Sequence, residues 1–154
     1  MKLFSVAIGE KYEIEAQRLN RSLGGIVEVF TKTNPLYIQK SADPLIDGLW
    51  HKTNFANYIE ETAEPIIFID ADAFTLKENP FADFSVDENT DFAYVPYSGN
   101  WHLPDTIRQN AYNFHGHKIN SGFMYFKNLE VAKAICDQWQ FEYLEREKIY
   151  NVQA

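Results

Sequence analysis

Two aspartates one residue apart, Asp70 and Asp72, carry the clearest chemical pattern in the sequence. They follow Pro65 and the apolar run Ile66–Ile69, which predicts a buried central strand that ends at the first carboxylate. Residues i and i+2 of an extended chain point to the same side, so the two carboxylates can converge on one hard cation. Carboxylate oxygens suit Mg²⁺ or Mn²⁺. The pattern therefore predicts a divalent metal site at the end of a strand, where open α/β sheets bind their ligands.

The elements that must position this pair follow from the hydrophobic periodicity of the chain. We expect strands at residues 3–8, 26–31, 66–69, 92–97 and 119–126, the last interrupted by Gly122. We expect a helix after Gly9 with an apolar face of Tyr12, Ala16, Leu19 and Leu23, a helix over residues 49–61, and a helix capped by Asn128. Gly24 and Gly25 end the first helix, and residues 32–48 form an irregular loop. The order β-α-β-α-β-β-β-α predicts that the first two strands are parallel with a right-handed crossover.

Composition limits the classes of function open to the chain. A length of 154 residues predicts one domain over 1–154 with a real core, and 45% of the residues are apolar. The net charge of −8 argues against nucleic-acid binding, which needs a basic face. The single cysteine, Cys136, excludes an internal disulfide and is expected to be a buried thiol. We see no signal peptide and no transmembrane segment, so we expect a cytoplasmic protein.

Three stretches in the same order carry a resemblance to a known family. They are an opening strand, turn and helix start at residues 6–12, the Asp-x-Asp motif at residues 70–72, and a strand at residues 120–128 that reads Asn, Ser, Gly and then mostly apolar residues. Together they resemble glycosyltransferases of the GT-A fold, close to the family-8-like nucleotide-diphospho-sugar transferases. The resemblance implies an α/β, Rossmann-like fold with a mixed central sheet flanked by helices. It also implies transfer of a sugar from a nucleoside-diphosphate sugar, with a UDP-sugar favoured, to a hydroxyl of a carbohydrate or other acceptor.

The resemblance implies a donor site built from the strand ends. Asp70 and Asp72 would bind Mn²⁺ or Mg²⁺, and Lys52 would neutralise phosphate charge. The other residues expected to contact the nucleotide or the donor sugar are Ala7, Ile8, Gly9, Tyr12, Ala71, Asn120, Ser121 and Gly122.

Residues 98–118 are rich in aromatic and polar side chains and are expected, together with Tyr97, to form the acceptor side. Tyr97, Trp101, Tyr112 and Phe114 offer flat faces for a sugar. An inverting enzyme also needs a group that takes the acceptor proton, and Asp105, His115 and His117 are the candidate catalytic residues, among which the sequence does not choose.

The chain departs from the family pattern at its end. It stops at Ala154, roughly where a later acidic-glutamine motif begins in the family, and no histidine follows His117. We therefore expect a single GT-A-like domain truncated at the C-terminus, and a homo-oligomer is compatible with the sequence. One alternative is a non-catalytic module that binds nucleotide sugars. Another is a phosphatase of the haloacid-dehalogenase type, which also has an Asp-x-Asp after an apolar strand, although Phe74 stands where that family has Thr or Val.

Overall fold

The computed structural model describes residues 1–73, 80–81, 84–96 and 119–153. Within them the strands form one mixed sheet of five in the order β2-β1-β3-β5-β4. The strands are β1 Lys2–Val6, β2 Val27–Phe30, β3 Ile66–Ile69, β4 Phe92–Pro96 and β5 Ile119–Phe126. Strands β2, β1 and β3 run parallel, and β5 is antiparallel to both β3 and β4. The predicted parallel pairing of the first two strands is confirmed.

Helices cover both faces of this sheet. They are α1 Glu10–Ser22, α2 Pro44–Lys52 and α3 Leu129–Gln153, with a 3₁₀ turn over Phe55–Tyr58. Leu19 of α1 packs in the same cluster as Ile67 and Ile69 of β3. The 3₁₀ turn and α3 belong to the cluster on the other face, which contains Ile66 and Phe68. The expected α/β fold with a mixed sheet flanked by helices is confirmed, and the elements of the described residues follow the expected order.

Strand β3 lies at the centre of the sheet and is buried on both faces. All four of its side chains are at most 5% exposed. Side chains of a strand alternate between the two faces, so a run of apolar residues without alternation serves a strand that is covered on both sides. The strand therefore fixes its own end, and with it the two aspartates, relative to both layers of helices.

The second helix differs from its predicted bounds. We expected a loop over residues 32–48 and a helix over 49–61, whereas α2 begins at Pro44 and ends at Lys52. The side chain of Asp43 caps the helix by accepting from the backbone N–H of Leu45 at 2.9 Å, and proline suits the first helical position because it lacks an N–H. At the other end, the Gln140 side chain of α3 donates to the carbonyl oxygen of Trp50 at 2.9 Å. A long-range contact therefore ties the end of α2 to α3.

Other local signals act as expected. Gly24 and Gly25 have φ of 72° and 81°, a left-handed conformation that ends α1. The Asn128 side chain accepts from the backbone N–H of Val131 at 2.9 Å and caps α3. Cys136 is fully buried, as predicted. Gly122 does not break β5, which is continuous, but the register of β5 against β4 shifts next to it, between Tyr94 and Val95.

Candidate functional site

The two aspartates lie just past the carboxyl end of β3. The backbone N–H of Asp70 donates to the carbonyl oxygen of Gly122 at 3.0 Å, and the N–H of Ala73 donates back to the carbonyl oxygen of Asp70 at 3.1 Å. The chain therefore turns directly after the strand. The side chain of Asp70 is half-buried and that of Asp72 is exposed. One carboxylate is held by the protein while the other faces solvent.

Asp70 forms an ion pair with Lys52, the last residue of α2. The Lys52 ammonium donates to Oδ1 of Asp70, and it also lies 5.5 Å from the centre of the Phe68 ring. The lysine side chain is 14% exposed and the aspartate 34%. Burial raises the pKa of the Asp70 carboxyl above its ordinary value, and the negative charge of Asp72 adds to the rise, although Lys52 opposes it. Together with Asp72, the ion pair places one positive and two negative side chains at the end of β3.

A cavity of about 220 Å³ opens beside this charged group. Its walls come from the end of β1, the first turn of α1, one face of α2 and the Asp-x-Asp turn. The lining residues are Val6, Ile8, Tyr12, Pro44, Leu45, Gly48, Leu49, Lys52, Asp70, Ala71 and Asp72. The parallel strands β1 and β3 both end here, as expected for a ligand site in an open α/β sheet. The structure thus brings Ile8, Tyr12, Lys52, Asp70, Ala71 and Asp72, all predicted from the sequence, around one space.

Ala7 and Gly9, in the turn between β1 and α1, shape this cavity without lining it. Ala7 is fully buried and packs in one cluster with Ala16 and Ala71, outside the lining. Gly9 has φ of 99°, and a Cβ placed on it would lie 3.3 Å from Cβ of Pro44. Glycine therefore permits both the turn and the close approach of α2 to the start of α1. Nucleotide contacts of Ala7 and Gly9 stay a prediction.

The predicted donor-sugar residues lie on β5, the antiparallel neighbour of β3. Asn120 pairs with Val95 and Met124 with Tyr94, so three residues of β5 stand between two residues whose partners are adjacent on β4. This irregularity carries the Gly122 carbonyl that accepts from Asp70. A backbone hydrogen bond therefore joins the Asp-x-Asp turn to the Asn-Ser-Gly stretch.

Comparison with known families gives a match to a family model described as nucleotide-diphospho-sugar transferase, over residues 42–153. These residues span most of the chain, including α2, β3 and the Asp-x-Asp motif. The chain belongs to the nucleotide-diphospho-sugar transferase family. The predicted resemblance to this family is confirmed, and two of the three stretches that carry it, residues 70–72 and 120–128, lie within the matched range. No curated protein matches the chain.

The two aspartates are the candidate metal ligands of this transferase. Their donor set is two carboxylates without a thiolate or imidazole, which suits a hard cation such as Mg²⁺ or Mn²⁺. Within residues 1–73, 80–81, 84–96 and 119–153, no group of three or more His, Cys, Asp or Glu side chains is placed to hold a metal ion. The two carboxylates fit such an ion as a partial shell that water and phosphate oxygens would complete.

One wall of this transferase's cavity is formed by four residues of α2 that were not predicted as site residues from the sequence. Pro44, Leu45, Gly48 and Leu49 line it from α2, and three of them fell in the predicted loop. A local signal was present, because Asp43 followed by Pro44 is a common start of a helix. The orientation of this helix face toward the end of β1 depends on tertiary packing, and no local sequence pattern indicates it.

A buried polar cluster holds α2 in place. Asp47 and His51, one turn apart on α2, are each 1% exposed. The Asp47 carboxylate accepts from the Tyr37 hydroxyl at 2.6 Å and from the backbone N–H groups of Lys40 and Ser41 at 2.7 and 3.3 Å. Burial raises the pKa of Asp47, but these hydrogen bonds lower it by more, so the pKa lies below its ordinary value. Asp47 is therefore a buried carboxylate that fastens the segment before α2 to the helix.

His51 completes the cluster as a neutral ring. Its Nε2 lies 3.0 Å from the carbonyl oxygen of Ile38 and must donate, so Nδ1 accepts from the Tyr58 hydroxyl at 2.6 Å. Burial lowers the pKa of His51 below its ordinary value, although Asp47 and the Ile38 carbonyl oppose this. The ring of Tyr58 also stacks on Phe30, with centroids 3.8 Å apart. The cluster joins β2, the 3₁₀ turn and α2, and Lys52 follows His51 directly.

Several predicted residues lie outside the described part of the chain. They are Tyr97, Trp101, Asp105, Tyr112, Phe114, His115 and His117, together with the side chain of Asn120. Their acceptor, catalytic and donor roles stay predictions.

No helix among the described residues is long and apolar enough to cross a membrane.

Proposed function

We propose that this family member transfers a sugar from a nucleoside-diphosphate sugar to an acceptor hydroxyl, with a divalent cation held by Asp70 and Asp72. The observation that carries the proposal is the composition of one cavity. Its lining is apolar along β1 and the start of α2, and charged at Lys52, Asp70 and Asp72. A nucleoside diphosphate has the same division, with a flat base at one end and a doubly charged diphosphate at the other.

The charged end can bind a diphosphate in spite of the net charge of the chain. Lys52 is mostly buried, so its attraction for a phosphate oxygen is screened less than that of a surface lysine. Two exposed or half-buried carboxylates alone would repel a diphosphate, so a cation between them and the phosphates is required. Bound there, Mn²⁺ or Mg²⁺ would supply Lewis-acid stabilisation of the departing diphosphate. Lys52 would hold Asp70 in place and share the phosphate charge.

The remaining roles are assigned by residue type. A UDP-sugar is the favoured donor, with Ile8, Gly9 and Tyr12 near the base and Asn120, Ser121 and Gly122 near the sugar. Tyr97, Trp101, Tyr112 and Phe114 would form the acceptor side. The acceptor proton would pass, in an inverting reaction, to Asp105, His115 or His117.

The test is release of nucleotide from a panel of UDP-, GDP- and CMP-sugars with Mn²⁺ or Mg²⁺. We expect one class of donor to be consumed, and chelation of the metal or the change Asp72→Ala to abolish the reaction. Asp137→Ala is the matched control, because Asp137 is an exposed aspartate on α3 far in sequence from the motif. Tight nucleotide-sugar binding without turnover would instead support a non-catalytic binding module. Cleavage of simple phosphomonoesters without any sugar transfer would overturn the proposal.

A further inference from the structure

One face of α2 runs along the cavity from an apolar end to a charged end. Pro44, Leu45, Gly48, Leu49 and Lys52 all line the cavity, and their spacing of three or four residues places them on one side of the helix. At a rise of ~1.5 Å per residue, Pro44 and Lys52 are about 12 Å apart along the axis. The ammonium group of Lys52, at the end of the helix, pairs with Asp70. The apolar part of this helix face therefore lies toward the start of α2.

Gly48 stands in the middle of this face, where glycine is unfavourable for a helix. Its φ is not positive, so its backbone is open to any residue. A Cβ built on it would meet Cβ of Ile8 at 3.7 Å, an ordinary contact, and no other atom within 4 Å among the described residues. Neither backbone strain nor close packing requires glycine here, although alanine would stabilise the helix. What glycine does provide is space on the cavity side of α2.

The cavity lining around Gly48 is apolar and partly aromatic. Ile8, which is 1% exposed, lies beside Gly48, and Tyr12 from the first turn of α1 also lines the cavity. Leu45 and Leu49, 54% and 41% exposed, flank Gly48 on the helix side. A planar base can stack on an aromatic ring and on a helix face that lacks a side chain at its centre.

We propose that Gly48 is a specificity-determining residue that keeps open a slot for the nucleobase of the donor, between Tyr12 and the apolar face of α2. The proposal rests on the proposed function, since it assigns the base to the apolar end and the diphosphate to Lys52 and the two aspartates. A methyl group at residue 48 would enter the slot, while the charged end about one helical turn away would be unchanged.

The experiment compares wild type with Gly48→Ala and Gly48→Val, and with Ile46→Ala as the matched control. Ile46 lies on the same helix, is 40% exposed and does not line the cavity. Dissociation constants are measured by calorimetry for UDP with Mn²⁺, then for CDP, GDP and ADP, and pyrophosphate with Mn²⁺ is used as a competitor that lacks a base. Melting temperatures are measured without ligand.

We expect Gly48→Ala to raise the melting temperature by about 2–4 °C, because alanine favours the helix. The same change should weaken nucleotide binding about tenfold or more, and Gly48→Val should weaken it further, since one misplaced methyl in a pocket has effects of this size. Pyrophosphate binding and the Ile46→Ala variant should show wild-type affinities. A Gly48→Ala variant that binds nucleotide more weakly but melts at a higher temperature would show that the glycine is needed for space in the cavity and not for the stability of the fold.

Three results would contradict the proposal that Gly48 keeps a slot open for the nucleobase. Unchanged nucleotide affinity in Gly48→Ala and Gly48→Val would show that no ligand uses the space. A fall in melting temperature in Gly48→Ala would show that packing requires the glycine. Equal weakening of pyrophosphate and nucleotide would place phosphates there instead of a base. If wild type binds none of the nucleotides, the proposed function itself fails. If wild type binds them and both Gly48 variants bind them equally well, only the proposed slot fails.

Discussion

The ammonium of Lys52 at the end of α2 donates to Oδ1 of Asp70 at the end of β3, and this ion pair joins the helix to the Asp-x-Asp turn. The two residues are 18 positions apart in the sequence. The pairing means that any ligand reaching Asp70 also meets a cation that is already in place. The consequences of this arrangement, and of the cluster behind it, are open to direct measurement.

Removing the ammonium group of Lys52 should weaken nucleotide binding much more than it lowers the stability of the fold. Lys52→Ala should raise the UDP dissociation constant about tenfold or more, because a charge-assisted hydrogen bond to phosphate is lost. The free energy of unfolding should fall by at most about 1 kcal/mol, since Asp70 is a third exposed and water screens the pair. Calorimetry and thermal unfolding measure the two effects.

Lys133→Ala is the control for this change, because Lys133 pairs at 3.5 Å with Glu61 on the surface. It should alter neither quantity, whereas Lys52→Arg should keep part of the affinity by keeping the charge. Equal UDP affinities for Lys52→Ala and Lys133→Ala would show that Lys52 does not contact the phosphates.

The buried carboxylate of Asp47 should be among the most sensitive positions of the fold. Asp47→Asn replaces an acceptor of three hydrogen bonds by a group whose nitrogen cannot accept, so a buried donor loses its partner. We expect a loss of about 3 kcal/mol in the free energy of unfolding. Asp43→Asn is the matched control on the same helix and should change stability by less than about 0.5 kcal/mol, because asparagine caps helices as well as aspartate does. Urea unfolding compares them, and similar losses in both variants would contradict the role assigned to Asp47.

The neutral state of His51 predicts a dependence of stability on pH. Unfolded His51 takes up a proton near its ordinary pKa of 6.5, while burial keeps the folded residue neutral to a lower pH. The unfolded state therefore binds more protons in this interval, and the free energy of unfolding falls as the pH drops below 6.5. His51→Gln should be less stable at about pH 7 but should lose less stability between about pH 7 and about pH 5. Parallel pH profiles for the two proteins would refute this assignment.

Cys136 offers a probe of how firmly α3 is docked. Burial raises the pKa of its thiol to about 12, although backbone hydrogen bonds at Ala56 and Phe55 oppose the rise. Alkylation requires the thiolate and access to it, so the folded protein should resist iodoacetamide at about pH 8 and react rapidly once urea unfolds it. Mass spectrometry follows the modification. Rapid labelling without urea would mean that α3 separates readily from the 3₁₀ turn.

Local patterns in the sequence predicted much of the architecture. The unbroken apolar run before Asp70 marked the central strand, Gly24 and Gly25 marked the end of α1, and Asn128 marked the start of α3. Each of these signals acts within a few residues, through burial of a strand, a left-handed backbone or a capping hydrogen bond. The expected site residues Ile8, Tyr12, Asp70 and Asp72 lie around one cavity because the carboxyl ends of the parallel strands β1 and β3 share an edge of the sheet.

The bounds of α2 differ from the local prediction. Pro44, Asp47 and Gly48 lie in the predicted loop over residues 32–48, whereas in the structure Pro44 begins the helix and the other two lie inside it. Asp47 is tolerated there because Tyr37 and the backbone of Lys40 and Ser41 satisfy its carboxylate. These partners come from a preceding segment with no regular periodicity, and no helical or strand pattern identifies them.

The sequence by itself determined the order of the elements, the central strand and the pair of carboxylates at its end, because these depend on side-chain periodicity and on neighbours in the chain. Only the tertiary structure decided that Lys52 meets Asp70, that the Gly122 carbonyl accepts from the Asp70 backbone, and that Gly48 faces a cavity. These relationships join residues at least 18 positions apart in the sequence, or depend on which face of a helix turns toward the cavity. They are set by how α2 and β5 pack against β1 and β3, and that packing is a property of the whole fold.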